Sequence, residues 1–484
     1  MFEAIYLFIQ GCILVLLFSI AGKRARFLYW AAFLIPLQSV SFEWLTLFTW
    51  AKLIFPISII IFLLHPFYRS NEPSFIPGKY LLVCFLLYVG VLTFGWMVYD
   101  YTCGFRYEFA RTMGAGIAQS TFRYPIQLAH FFFIWGLLLT GIWFGHNSDD
   151  VVATIRGYIA GNLFNVITGL YQVAAYYLSL PWFRGGWIMR APQYNPDVFQ
   201  TYIVQLGGIV VPRLSGLGGE PKYAGINFVL ALFLVLCWQS FLQGLPRMKH
   251  WRRDTLLLIL GIFMTFSVGA WFAIILCFTY LFFASITTGR VKSFGVLGFG
   301  IVFISISLLL IGEATLTNLF EIYISPKINL EEGRGGLASY LDTSLMYFFL
   351  ENPFGLLVGN GAGGAEYALQ SVDSWFLRGR FSVAPAYTLT RLIGDVGIVG
   401  ILMLIALFMK WERFLFKHKF TAYGHIVTGG FLLIMFGHYT GLYGILLVIG
   451  AIIGATGHEI RKTQPDRKAT KWIRGPISYV GASK

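Results

Sequence analysis

The stretch "PRMKHWRRDTLLLILGIFMTFSVGAWFAIILCFTYLFFASITTGRVK", Pro246 to Lys292, sets basic clusters at both ends of one apolar run. Arg247, Lys249, Arg252 and Arg253 precede the run, and Arg290 and Lys292 follow it. Cytoplasmic loops of membrane proteins carry the excess of Lys and Arg, so both ends belong on the same side. The chain between them, Thr255 to Thr288, must then cross a bilayer an even number of times. A full helical span needs roughly 20 residues, so this length fits two short helices, 255–269 and 270–287, that turn near "TFSVGAW". That hairpin fixes the parity of every crossing on either side.

The rest of the chain has the same character. Of 484 residues, 57% are hydrophobic and only 12% charged, whereas a soluble domain carries about 25% charged residues. Apolar runs of roughly 17–25 residues recur throughout, the length of a bilayer span. The predicted spans are 4–20, 27–42, 45–65, 80–98, 126–145, 157–180, 223–242, 255–269, 270–287, 293–312, 387–409, 421–437 and 440–457. The first run, Ile5 to Ile20, lacks a preceding basic segment and a small-residue cleavage site, so it reads as a retained span. The expected fold is all-α: one polytopic membrane domain over 1–484 with about 13 transmembrane helices (12–14).

Further basic clusters lie at Lys23-Arg24-Arg26, at Lys410-Arg413-Lys417-Lys419, and in a tail expected over 458–484. All are predicted to be cytoplasmic, with the N-terminus outside. The net charge of +14 then follows from topology and from attraction to anionic membrane lipids, and nucleic acid binding is not needed to account for it. Of the five cysteines, Cys12, Cys84, Cys237 and Cys277 lie in apolar runs and Cys103 is expected in a loop. They show no CxxC spacing, which speaks against disulfides and thiolate metal sites.

Two connections are long, 181–222 at about 42 residues and 312–386 at about 75, where short loops are the norm. Both are expected on the extracytoplasmic side. They are rich in Gly and aromatics, unlike a charged spacer, and "LASYLDTSLMYFFL" reads as a short amphipathic helix. The first carries Arg184, Arg190 and Arg213 with Lys222, and the second carries Arg334, Arg378 and Arg380. Arg391 stands at the mouth of the following span, four residues before Asp395. A guanidinium fork matches phosphate oxygens and keeps its charge at any working pH. Neighbouring glycines ("RGGW", "GLGGEP", "EEGRGG") let backbone N–H groups approach an anion. Such arginines suit a lipid diphosphate; they equally suit capping of helix carbonyls, or, for Arg391 and Asp395, an intrahelical ion pair.

Candidate acids and bases on that side include Glu220, Asp395 and His438, the last within "FGHYTGLYG". No DxD, HExxH, Walker or GxSxG pattern occurs, so nucleotide-sugar, metal-hydrolase and acyl-hydrolase chemistry have no support.

Three motifs over roughly Val211 to Ile401 resemble the bacterial O-antigen polymerase and ligase superfamily. They are "RLSGLGGEPKYAG", "GRGGLASYLDTSLMYFFLENPFGLLVGNGAGG" and "RLIGDVGIVG". The resemblance implies a GT-C-type membrane glycosyltransferase of the bacterial inner membrane, acting at the periplasmic face on undecaprenyl-diphosphate-linked saccharides. Neither metal nor other cofactor is implied, and a chain-length regulator is an expected partner. Arg213 and Arg334 would hold the diphosphate, with Arg190 and Arg391 beside them, and the catalytic group is expected among Glu220, Asp395 and His438. Ligases of the superfamily carry a His-Asn pair where this chain reads "PAYT", Pro385 to Thr388, and a Ser-Arg where it reads Ser267-Val268. These departures favour a repeat-unit polymerase over a ligase. A polysaccharide or lipid transporter is the alternative from another class; the scarcity of charge inside the spans argues against it.

Overall fold

In an apolar surrounding every backbone N–H and C=O must be satisfied within its own segment, and runs of Leu, Ile, Phe and Ala do so by coiling into helices. The computed structural model describes residues 2–20, 22–37, 49–64, 76–103, 123–178, 203–206, 209–241, 248–287, 353–364, 388–437 and 441–463. Its helices are α1 (Phe2–Ser19), α2 (Arg24–Leu34), α3 (Trp50–Leu64), α4 (Lys79–Cys103), α5 (Arg123–Phe144) and α6 (Ser148–Leu178). A β-hairpin follows, β1 (Ile203–Leu206) and β2 (Ile209–Pro212), and then α7 (Pro221–Phe241), α8 (Trp251–Met264) and α9 (Val268–Thr287). The short α10 (Pro353–Val358) precedes α11 (Thr388–Lys417), α12 (Thr421–Met435) and α13 (Leu442–Thr463). Among the described residues five helices, α4, α5, α7, α11 and α13, are long and apolar enough to cross a membrane.

Each predicted span except 293–312, which lies outside the described residues, has a helix on it. The decisive hairpin forms as α8 and α9, turning at Thr265–Ser267 with Phe266 in the left-handed region (φ 46°). Several boundaries differ for local reasons. Helix α2 stops at Leu34, two residues before Pro36, which has no N–H to continue the helical ladder. Helix α6 begins at Ser148 and not at 157. Asn147 caps it, Oδ1 accepting the Asp150 N–H at 2.9 Å, and its first turns are too polar to read as a span. Helices α11 and α13 likewise run on into basic residues, to Lys417 and Thr463. The tail beyond Thr463 lies outside the described residues, as do "LASYLDTSLMYFFL" and most of 312–386. Cys103 is the last residue of α4 and not a loop residue.

The chain is mostly helical, as expected of an all-α membrane protein, with one short exception. Ile203 pairs with Pro212 and Leu206 with Ile209 in an antiparallel hairpin inside the first long connection. The β-branched run "IVVP" supplies the propensity, and Gly207-Gly208 in the sequence suits a two-residue hairpin connection.

Helix α7 forms the centre. Every side chain from Ile226 to Trp238 is buried, which explains why this helix is apolar on all faces. It packs against α6, α8, α9 and α12. Elsewhere, glycines bring backbones together. Gly141 of α5 and Gly145 just past its end face Leu447 and Ala451 of α13, and Gly450 and Gly454 of α13 face Leu138 and Ile142 in return. Gly157 and Gly161 of α6 abut the Tyr29 and Phe33 carbonyls of α2 in the same way. These are small-xxx-small contacts, by which membrane helices gain close van der Waals packing.

Candidate functional site

The segment from Arg213 to Glu220 leaves the β-hairpin and is pinned at each step. Leu214 N–H donates to the Met264 carbonyl at 2.8 Å. Arg213 donates through Nε to the Thr265 carbonyl at 2.9 Å and through Nη2 to the Phe266 carbonyl at 3.2 Å. The last carbonyls of a helix have no intrahelical partner, so Arg213 and Leu214 complete the C-terminus of α8 and fix the α8–α9 turn. Two amides of α6 hold the next residues. Gln172 Oε1 accepts from the N–H groups of Ser215 and Gly216, and Asn165 Oδ1 accepts from Leu217 N–H at 2.6 Å.

Glu220 then starts α7. Its carbonyl accepts from Tyr223 and Ala224 N–H at 2.9 and 3.0 Å, and Pro221 takes the first helical position, where its missing N–H costs nothing. The first long connection therefore closes at Glu220, and Lys222 belongs to the helix. The Glu220 carboxylate is half exposed and pairs with Lys222 Nζ at 2.9 Å.

A second joint is built from two of the quoted motifs. Helix α11 is broken at Gly397, whose φ of 65° and ψ of −176° are accessible in practice only to glycine. The turn Gly359–Gly364 docks on the break. Asn360 donates its backbone N–H and its Nδ2 to the Gly394 carbonyl at 3.0 and 3.1 Å, and Gly361 N–H donates to the Asp395 carbonyl at 2.9 Å. The Tyr88 hydroxyl of α4 donates to the carbonyls of Val358 and Val396. Trp96 Nε1 donates to the Gly359 carbonyl at 3.2 Å, and Thr93 Oγ1 accepts from Ala362 N–H at 2.8 Å. Three successive carbonyls at the break, Gly394, Asp395 and Val396, are thus met by donors from outside α11. Gln127 of α5 closes the joint against Gly363.

One turn before the break, Arg391 Nε lies 4.0 Å from Asp395 Oδ2, with both side chains largely buried. The spacing of four residues expected from sequence does produce an ion pair.

The two joints meet through a chain of contacts. Gly225 of α7 packs on Thr265, Ser267 and Ala270. Ile226 packs on Gly437, and the Gly437 carbonyl accepts both the N–H and the hydroxyl of Thr388 at 3.0 Å, one turn before Arg391. Arg213, Glu220, Arg391 and Asp395 therefore belong to one end of the bundle. Arg190, Arg334 and His438 lie outside the described residues.

Sequence reasoning passed over Asn165, Gln172, Asn360, Thr93 and Tyr88. For the four helical residues the signal was a polar side chain within an apolar run, which in a membrane helix faces protein or a cavity, whereas Asn360 stands in a glycine turn. Among the described residues no cluster of His, Cys, Asp or Glu has the makings of a metal site.

The architecture defines a mostly helical protein with several membrane-span helices, in which the broken helix α11 and the 213–220 segment lie at one end of the bundle. No family model matches the chain, and no curated protein matches it.

Proposed function

We propose that this chain is a glycosyltransferase of the bacterial inner membrane that polymerises undecaprenyl-diphosphate-linked oligosaccharide repeats at the periplasmic face. The observation that carries the reading is the docking of Gly359–Gly364 onto Gly394–Gly397. Two motifs named for their resemblance to the polymerase and ligase superfamily pack on each other and hold a buried Arg391–Asp395 pair. The third motif lies at the same end of the bundle.

The chemistry is attack of an acceptor sugar hydroxyl on the anomeric carbon of the growing chain, with lipid diphosphate leaving and a base taking the hydroxyl proton. Cations fixed in place before the reaction stabilise the developing leaving-group charge by several kcal/mol. Arg213 suits this role, because the two carbonyls that accept from it fix its guanidinium at that end of the bundle. Arg391 supplies a second fixed cation and Asp395 is the preferred base. Glu220 is better explained by its place at the start of α7. Arg190, Arg334 and His438 stay in the proposal on the resemblance alone.

The test is deletion of the gene followed by gel separation of the surface polysaccharide. Loss of the ladder with single repeats retained supports polymerisation; ladders that persist on the lipid carrier indicate a ligase. A transporter is the second reading, because interrupted membrane helices commonly form substrate sites. The Gly397 break speaks for it, yet the carbonyls at that break are engaged by Asn360, Gly361 and Tyr88 and do not line an open path. In vesicles holding purified protein and lipid-linked substrate, crossing without a new glycosidic bond would sink the enzyme reading.

A further inference from the structure

Lys23, Arg24 and Arg26 line a cavity of about 360 Å³ together with Gly22, Ala25, Asn147 and Asp150, where the α1–α2 and α5–α6 connections meet. We propose that this cavity is a binding site for the phosphate headgroup of an anionic phospholipid. The cations exceed the single acid. Asp150 is buried, and burial pushes its carboxyl above the ordinary range, while the His146 N–H and the Arg24 charge pull it back. Lys23 and Arg26 are exposed, and among the described residues neither has an acidic partner. A phosphodiester brings one negative charge and several acceptor oxygens to a pocket that offers guanidinium, ammonium and amide donors.

A second observation selects a lipid over free phosphate. Helix α1 leads straight into the pocket, and its last turns expose Val15 (70%) and Phe18 (38%). An acyl chain can lie along these apolar side chains while its headgroup sits on Lys23 and Arg26. On the topology given by the basic clusters this is the cytoplasmic leaflet, where juxtamembrane cations attract anionic lipid. The site is at the opposite end from the proposed reaction and does not depend on it.

The experiment is native mass spectrometry of the full chain released from detergent after incubation with phosphatidylglycerol or with phosphatidylcholine of matched acyl chains. Retention of phosphatidylglycerol over phosphatidylcholine is expected. With about a factor of 5 for each juxtamembrane cation, K23Q/R26Q should weaken retention about 30-fold. Both side chains are exposed, so the variant should fold, and an unchanged unfolding midpoint without lipid checks this. In the unaltered protein the preference should also fade as salt is raised, which tests the site without any substitution. Equal retention of the two lipids, or undiminished retention by K23Q/R26Q, overturns the proposal. Displacement of phosphatidylglycerol by inorganic phosphate but not by sodium chloride of equal ionic strength overturns the lipid assignment and leaves a site for free phosphate.

Discussion

Asn360 places both its backbone N–H and its side-chain amide on the carbonyl oxygen of Gly394, at 3.0 and 3.1 Å. The two residues are 34 apart in sequence, and this contact fastens the glycine turn to the broken helix α11. Asn360 is buried (2% exposed), so water cannot replace a lost donor. Asn360→Ala keeps the backbone N–H on that carbonyl and removes only the side-chain hydrogen bond, so it should lower stability by about 1 kcal/mol. Asn360→Asp should cost more, since it sets a second acceptor against the first. Thermal unfolding in detergent micelles reads both, and an unchanged midpoint in either variant would show that the joint does not depend on Asn360.

Gly397 bears a stricter constraint. A Cβ there would overlap the backbone of Val358 and Gly359, and its dihedral angles are strained for any other residue. Both neighbours are backbone, so neither can swing aside. Gly397→Ala should therefore cost about 3 kcal/mol or more, combining strain and overlap. Gly269→Ala, where a Cβ meets nothing within 4 Å, serves as the control. Size-exclusion profiles and unfolding midpoints of the two variants should separate clearly.

These two residues also mark where the sequence is legible. The helices were readable because each is an uninterrupted apolar run, and the α8–α9 hairpin because basic clusters at both ends fixed its parity. The Arg391–Asp395 pair followed from helical spacing. The docking of Gly359–Gly364 on Gly394–Gly397 could not be read. It depends on a contact between segments remote in sequence, and glycine marks conformational freedom without naming a partner. The glycine pairs joining α5 to α13 and α2 to α6 were hidden for the same reason. Local pattern also misjudged helix ends, because α6, α11 and α13 continue past the apolar layer as polar or basic helix.

Arg213 donates to the Thr265 and Phe266 carbonyls at the α8–α9 turn, so a substitution there touches both the fold and the charge. Arg213→Lys keeps the charge but cannot span the Thr265 and Phe266 oxygens with one planar fork. Its stability should fall by about 1 kcal/mol, the worth of one hydrogen bond, and polymer formation should fall with it. Arg213→Ala removes the charge as well, so it should abolish polymer at temperatures where the protein stays folded. Polymer yield scored beside the unfolding midpoint tests this. Full polymer from a folded Arg213→Ala protein would remove Arg213 from the proposed diphosphate site.

The Arg391–Asp395 pair permits the sharpest separation of folding from chemistry. Removing one partner of a buried pair leaves an uncompensated charge, so Asp395→Asn and Arg391→Gln should each destabilise by about 3 kcal/mol. The double variant R391Q/D395N leaves no charge behind and should recover much of that loss, as a cycle over the four proteins will measure. Polymer formation should behave otherwise. If Asp395 takes the acceptor proton and Arg391 faces the leaving diphosphate, the double variant is stable and still inactive. Recovery of polymer together with stability would assign the pair to the fold alone, and the base would have to be sought elsewhere at the same end of the bundle.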